Sequence, residues 1–310
     1  MFLQAAGMSP KKVRAIAEGL DAEGLTERQR ALIAFTQKIT QEPRHFTAQD
    51  TQALQCALAS QEELLEAANV TAGFNFANRC ADALGVKQEV PLIFQGLPQV
   101  RWAIMSILSW AIRMRMNFEN RKTKDSSLDD ILNRLQDDMG RTGMGKLPTF
   151  FERLRARPDL VAVQGTATRT VLLENGLSPE INLRIAYLIS VINGDAEWAN
   201  EAAGRLIARG ISLSPLNEMA SDRSANVALP PLEREMLLFA RDITLHADRT
   251  TDAQVVSLRR LGLTDPLILD LVAVCAAVNA GNRLNRILAP EVVDGPVLLA
   301  GSPLSERGLK

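Results

Sequence analysis

The sequence predicts an all-α fold, on three observations. Apolar residues recur at spacings of three and four, as in Leu32, Phe35 and Ile39 or Met236, Phe239 and Ile243. Helix starts are marked by cap residues: Ser9-Pro10 and Ser178-Pro179 put Ser at the N-cap and Pro at the first helical position. No run of alternating β-branched residues suggests a sheet.

In chain order, the first predicted helix spans 9–20. Thr26-Glu-Arg-Gln29 reads as a capping box and opens a helix over 26–41. Helices over 47–57 and 60–83 follow, the second opened by Ser60-Gln-Glu-Glu63. Further helices are predicted over 98–117, 126–138, 148–173, 179–193 and 195–209. The last three span 230–246, 251–261 and 265–288, with Thr251-Asp-Ala-Gln254 as another capping box.

Leu25 to Leu84 aligns without a gap on Leu229 to Leu288, at a constant offset of 204. Arg30 meets Arg234, Phe35 meets Phe239, Thr40 meets Thr244, Leu54 meets Leu258 and Leu65 meets Leu269. The endings match best: Asn75-Phe-Ala-Asn78-Arg79 against Asn279-Ala-Gly-Asn282-Arg283. This reads as one helical unit used twice. A long helical stretch from Leu147 to Gly210 precedes the second copy, whereas Met1 falls near the end of the equivalent stretch in the first. The expected division is 1–84, a truncated unit; 85–146, a helical linker; 147–290, a complete unit; and 291–310, a tail.

The chain has 310 residues, 46% apolar and 23% charged, which is ordinary globular composition. A net charge of −1 and the lack of a basic block interleaved with aromatics exclude a nucleic-acid partner. Cys56, Cys80 and Cys275 form no CxxC pair and have no zinc spacing, so no metal or other cofactor is expected and the thiols read as buried. The N-terminus runs straight into an amphipathic helix rather than a signal peptide, so a reduced, cytoplasmic setting is expected. Ala103 to Ile112 is too short to span a bilayer. The 98–117 helix, with Trp102 and Trp110, is expected to pack on a neighbouring domain or subunit rather than lie on a membrane.

Gly140-Arg-Thr-Gly-Met-Gly145-Lys146 matches the first seven positions of a phosphate-binding loop, but Leu147 stands where Ser or Thr should bind Mg²⁺ and a polar helix precedes it. A flexible loop is the reading. His45 and His246, the only histidines, sit in polar loops and read as surface residues. Asn is a poor helix former. Its repeated use in Asn75-x-x-Asn78-Arg79 and Asn279-x-x-Asn282-Arg283 reads as a buried polar clamp between the copies.

The phrase Leu25-Thr-Glu-Arg-Gln-Arg-Ala-Leu-Ile-Ala-Phe35, the Thr47 helix and the Asn75–Arg79 ending resemble the C-terminal part of the alkylhydroperoxidase D-like proteins, of the carboxymuconolactone decarboxylase superfamily. The second copy resembles a whole unit. Gly145-Lys-Leu-Pro-Thr-Phe-Phe151 with Pro158-Asp-Leu160 is similar to the family's opening, and Gly176-Leu-Ser-Pro179 with Asn193-Gly194 to the approach to its active site. The resemblance implies helical units that associate through helix faces, hence a homo-oligomer.

Redox members of that family carry Cys-x-x-Cys-x-x-x-His after Asn-Gly, which puts both sulfurs and the imidazole on one helix face at a helix N-terminus. Here Asp195 and Trp198 stand at the cysteine positions and Ala202 at the histidine; the upstream acid would fall near Ile181 or Leu183. A sub-branch without cysteines has Glu-Trp-x-x-His nearby. Glu197-Trp198-Ala-Asn-Glu201 resembles it after a one-residue shift, with Glu201 replacing His.

The degenerate site is thus Asp195, Glu197, Trp198 and Glu201. Either Asp195 caps the helix while Glu197 and Glu201 face water as its acidic first turns, or the glutamates line a pocket roofed by Trp198. The first arrangement is the expected one. It fits a non-catalytic assembly or binding protein with a small-molecule ligand. The second fits an acid/base enzyme acting on a small carboxylated or carbonyl compound. A third alternative is an antioxidant enzyme whose CxxC segment is encoded upstream of Met1.

Overall fold

The computed structural model describes residues 25–58, 60–85, 127–221, 227–294 and 297. Among them there is no strand, and the all-α class holds. The predicted helices over 9–20 and 98–117, with the apolar run 103–112, lie outside the described residues.

The first three helices are α1 (Glu27–Gln41), α2 (Ala48–Ala57) and α3 (Gln61–Ala83). Thr26 and Gln29 form the predicted capping box at α1, with Thr26 N donating to Gln29 Oε1 over 3.0 Å. Ser60 caps α3 by accepting from Glu63 N. The middle of the chain holds α4 (Leu128–Thr142), α5 (Phe150–Arg153) and α6 (Pro158–Thr168), followed by a π turn at Arg169–Leu173. Then come α7 (Pro179–Asn193), α8 (Ala196–Ala208) and α9 (Ser214–Ala220). The last group is α10 (Pro231–His246), α11 (Asp252–Arg260), α12 (Asp265–Leu288) and α13 (Pro290–Val293).

The single helix expected over 148–173 is broken in two. Arg157 precedes Pro158 and adopts φ −130°, ψ 81°, outside the helical region, because the proline ring crowds the residue before it. Pro158 then starts α6, where its missing N–H costs nothing.

Starting residues of α1, α2 and α3 lie 204 positions before those of α10, α11 and α12: Glu27 and Pro231, Ala48 and Asp252, Gln61 and Asp265. Phe35 and Phe239, Ile39 and Ile243, and Leu54 and Leu258 are all buried. Leu65 is buried as well, but its counterpart Leu269 is 53% exposed.

Helices α3 and α12 pack along each other more extensively than any other pair of described elements. Their asparagines bond within their own segments, and only the arginines cross. Asn75 donates to Thr40 Oγ1 and Asn279 to Thr244 Oγ1, each over 3.0 Å. Arg79 then reaches the Thr244 carbonyl, and Arg283 the Thr40 carbonyl, each over 3.3 Å. Arg283 is 1% exposed, and burial, with the nearby Arg79 charge, pulls its pKa well below the usual guanidinium range. The expected clamp between the copies is thus made by Arg79 and Arg283 alone; Asn75 and Asn279 bond within their own segments, and Asn282 bonds Ser190, Asn193 and Asp195. Asn78 is exposed.

Two apolar clusters form the core. One gathers α7, α8, α10 and α12; the other gathers α1 to α6 and the end of α12. Trp198, Leu147 and Leu173 pack against both. Helix α12 is long and apolar enough to cross a membrane, but 67% of its most apolar stretch is buried against other helices. Cys275 is buried as expected, whereas Cys80 is half-buried and Cys56 exposed. The inward side of α2 is taken by Thr51 and Leu54, which leaves Cys56 on the outer side. His45 and His246 are exposed.

Candidate functional site

Helix α7 ends at Gly194, whose φ of +73° makes the left-handed C-cap that an L side chain adopts only with strain. The chain turns at once into α8, with Asp195 as N-cap accepting from Trp198 N over 3.1 Å. This turn is held from behind by the polar face of α12. Asn193 donates to the side-chain oxygens of Asn279 and Asn282, both over 3.0 Å. Asn282 donates to Ser190 Oγ and Asp195 Oδ2, and Arg286 to the Gly194 carbonyl over 2.6 Å.

Asp195 is 1% exposed. Burial pushes its carboxyl up to about 6. The N–H of Trp198 and the amides of Asn285 and Asn282 oppose that rise, while the charge of Glu197 adds to it.

Glu197 does not stand in open water. One oxygen accepts from Thr149 N over 3.1 Å and from Thr149 Oγ1 over 2.5 Å; the other accepts from Asn285 Nδ2 over 2.7 Å. The same Asn285 amide nitrogen donates to Asp195 Oδ2 over 3.1 Å, and its oxygen accepts from Phe150 N over 3.2 Å. Glu201 accepts from Lys146 N over 3.2 Å and pairs with Arg205 over 3.1 Å.

The glycine-rich segment before α5 is therefore clasped by α8, which corrects the flexible loop expected there. Gly143 caps α4 at φ +73°. Gly145, at φ +104°, lies so near Glu201 that a Cβ would fall 2.3 Å from Oε1. Gln136 fixes the rest, donating to the Gly145 carbonyl and accepting from Leu147 N. A helix precedes this segment, so it has no strand–loop–helix geometry for a phosphate.

Between the segment and α8 lies a cavity of about 530 Å³. Its apolar wall includes Met139, Met144 and Leu183, and its polar wall includes Glu197 and Glu201, with Lys146 at the rim. Trp198 lines it too, and also lines a second cavity of about 200 Å³ beside Gly73 and Gly281. The indole N–H is enclosed without a hydrogen-bond partner. Both glutamates are half-buried beside the cavity, so neither stands as a fully solvated first-turn acid. The loop over 143–149 folds back onto α8 and covers the face that helix geometry alone left open.

The structure brings Asp195, Glu197, Trp198 and Glu201 together, with Asp195 behind the cavity wall rather than on it. Sequence reasoning missed Thr149 and Asn285. The second had a signal: Asn279, Asn282 and Asn285 continue a spacing of three on one face of α12, and the counterpart of Asn285 in the first segment is Ala81. Among the described residues no group of three or more His, Cys, Asp or Glu is placed to hold a metal. No family model, no curated protein and no solved structure matches the chain.

Proposed function

We propose that this chain is a non-redox helical protein of the alkylhydroperoxidase D-like type that binds a small organic molecule in the cavity beside α8. One observation carries the reading. The cavity lies where the resemblance locates the family's reactive helix, and carboxylates and an indole line it, with no thiol or imidazole. A volume of about 530 Å³ and a mostly apolar wall with a few convergent polar groups suit a small ligand. The shared helix starts and the crossed Arg79 and Arg283 contacts support a unit used twice. Association of subunits through helix faces belongs to the same proposal, and sedimentation velocity tests it.

Thiol chemistry at Cys80 and Cys275 is disfavoured on physical grounds. Burial raises the thiol pKa of both Cys80 and Cys275, and a raised thiol supplies little of the reactive thiolate. Glu201 supports a second reading as a general base, because it lines the cavity and both its hydrogen bonds fall on Oε1, which leaves Oε2 open.

A thermal-shift screen with small amphiphiles tests the binding reading. Several compounds should raise the melting temperature saturably, and Ala186→Phe, which fills the cavity wall, should abolish the effect. If the Ala186→Phe protein responds like wild type, the cavity is not the site. Peroxide turnover with a dithiol reductant should be absent; turnover lost on replacing Cys56, Cys80 and Cys275 with Ser would reverse the non-redox assignment.

A further inference from the structure

The hydrogen bonds around the cavity give its interior a sign. The Glu197 carboxylate meets only neutral donors: the Thr149 N–H, the Thr149 hydroxyl and the Asn285 amide. Asp195 stands behind it and meets only the Trp198 N–H and the amides of Asn282 and Asn285. One amide nitrogen, Asn285 Nδ2, bridges the two carboxyl groups over 2.7 and 3.1 Å. Neither carboxyl has an ion-pair partner among the described residues. Of the cations nearby, one is paired and the other lies at the solvent edge. Arg205 pairs with Glu201, and the exposed Lys146 sits at the rim in water.

The Thr149 N–H is shared between both oxygens, so three neutral donors make four contacts to the Glu197 carboxylate and none of them brings a positive charge. Glu197 lines the cavity beside the Trp198 indole, whose face attracts cations.

We propose that the cavity takes a small organic cation, a protonated alkylamine, with its ammonium against Glu197 and its chain along Met139, Met144 and Leu183. This rests on the ligand-binding reading above and adds to it the charge of the ligand. An anion of the same shape would enter beside two carboxyl groups that no cation compensates.

The test uses the full chain with Phe replacing Trp102 and Trp110, so that Trp198 alone reports. Hexylammonium, hexanol and hexanoate are titrated at pH 7 and the indole emission followed. Hexylammonium should bind at least about tenfold more tightly than hexanoate, with hexanol between them. Glu197→Gln should bring the three to within about threefold of one another. If that variant does not fold, Lys146→Gln at the exposed rim serves: hexylammonium binding should hold or strengthen and hexanoate binding weaken. Hexanoate or hexanol binding as tightly as the amine would overturn the charge assignment and leave the ligand-binding reading standing. So would an amine affinity that falls in Lys146→Gln or does not change in a folded Glu197→Gln. A flat response to all three compounds would sink both.

Discussion

Thr149 donates both its backbone N–H and its hydroxyl to Glu197, 48 positions further along the chain. That pairing closes the glycine-rich segment over α8 and makes a cavity from what helix geometry alone would leave as a surface.

Removing the acceptor should therefore cost more than removing one donor. Glu197→Ala orphans the Thr149 N–H and hydroxyl and takes one acceptor from the Asn285 amide, so about 2–3 kcal/mol of stability should be lost. Thr149→Val should cost about 1 kcal/mol. Urea denaturation of the two single variants and the double variant checks this. The double should fall short of the sum, and strict additivity would mean that the pair does not interact.

Asn282 and Asn78 occupy corresponding positions with different surroundings. Asn282 bonds Ser190, Asn193 and Asp195, whereas Asn78 is exposed. Asn282→Ala should destabilise by about 2 kcal/mol or more and Asn78→Ala by less than about 0.5. Equal effects would mean that the polar face of α12 is not what holds the α7–α8 turn.

Asp195 sets a pH dependence with an unusual sign. Its carboxyl titrates at about 6 in the fold, against 3.8 unperturbed, so the folded state binds the proton more tightly. Its contribution is greatest below pH 4 and falls as pH rises towards 6, by ~3 kcal/mol at most. Asp50 and Asp159, whose pKa values are lowered by Lys38 and Arg157 respectively, act in the opposite direction. The informative quantity is thus the stability of Asp195→Asn minus that of wild type. It should increase between pH 4 and pH 6 and stay level from pH 6 to 8. A difference independent of pH would show that folding leaves the Asp195 carboxyl unshifted.

Two glycines should respond in opposite senses to alanine. At Gly145 the positive φ and the crowding against Glu201 should cost at least about 1 kcal/mol. At Gly73, inside α3 with nothing near a new Cβ, alanine should stabilise by about 0.5–1 kcal/mol. Circular-dichroism melts of the two variants compare them directly.

What could be read from the sequence was local. Ser60, Ser178 and Asp195 cap the helices they precede, because a cap needs only residues three apart. The candidate glutamates were found the same way, by spacing along one helix. Their surroundings were not, since Glu197 takes its donors from residues 149 and 285 and no local pattern encodes such a pairing. The break at Arg157 was legible in Pro158, but the apolar spacing on either side reads as continuous. Asn78 misled because its letters repeat those of Asn282, while among the described residues no helix lies on α3 as α7 lies on α12.

The crossed arginines carry a consequence for self-association. Arg79 on α3 serves the carbonyl that ends its partner segment's leading helix, and Arg283 on α12 returns the contact at the matching place. Donor and acceptor swap roles at equal spacing, so each segment is complementary to the other in the way that two identical surfaces are complementary across a twofold axis. Each guanidinium also bonds the asparagine four residues earlier in its own helix, so the crossed carbonyl contact is the part a second segment supplies. Two molecules of a single segment could supply it to each other.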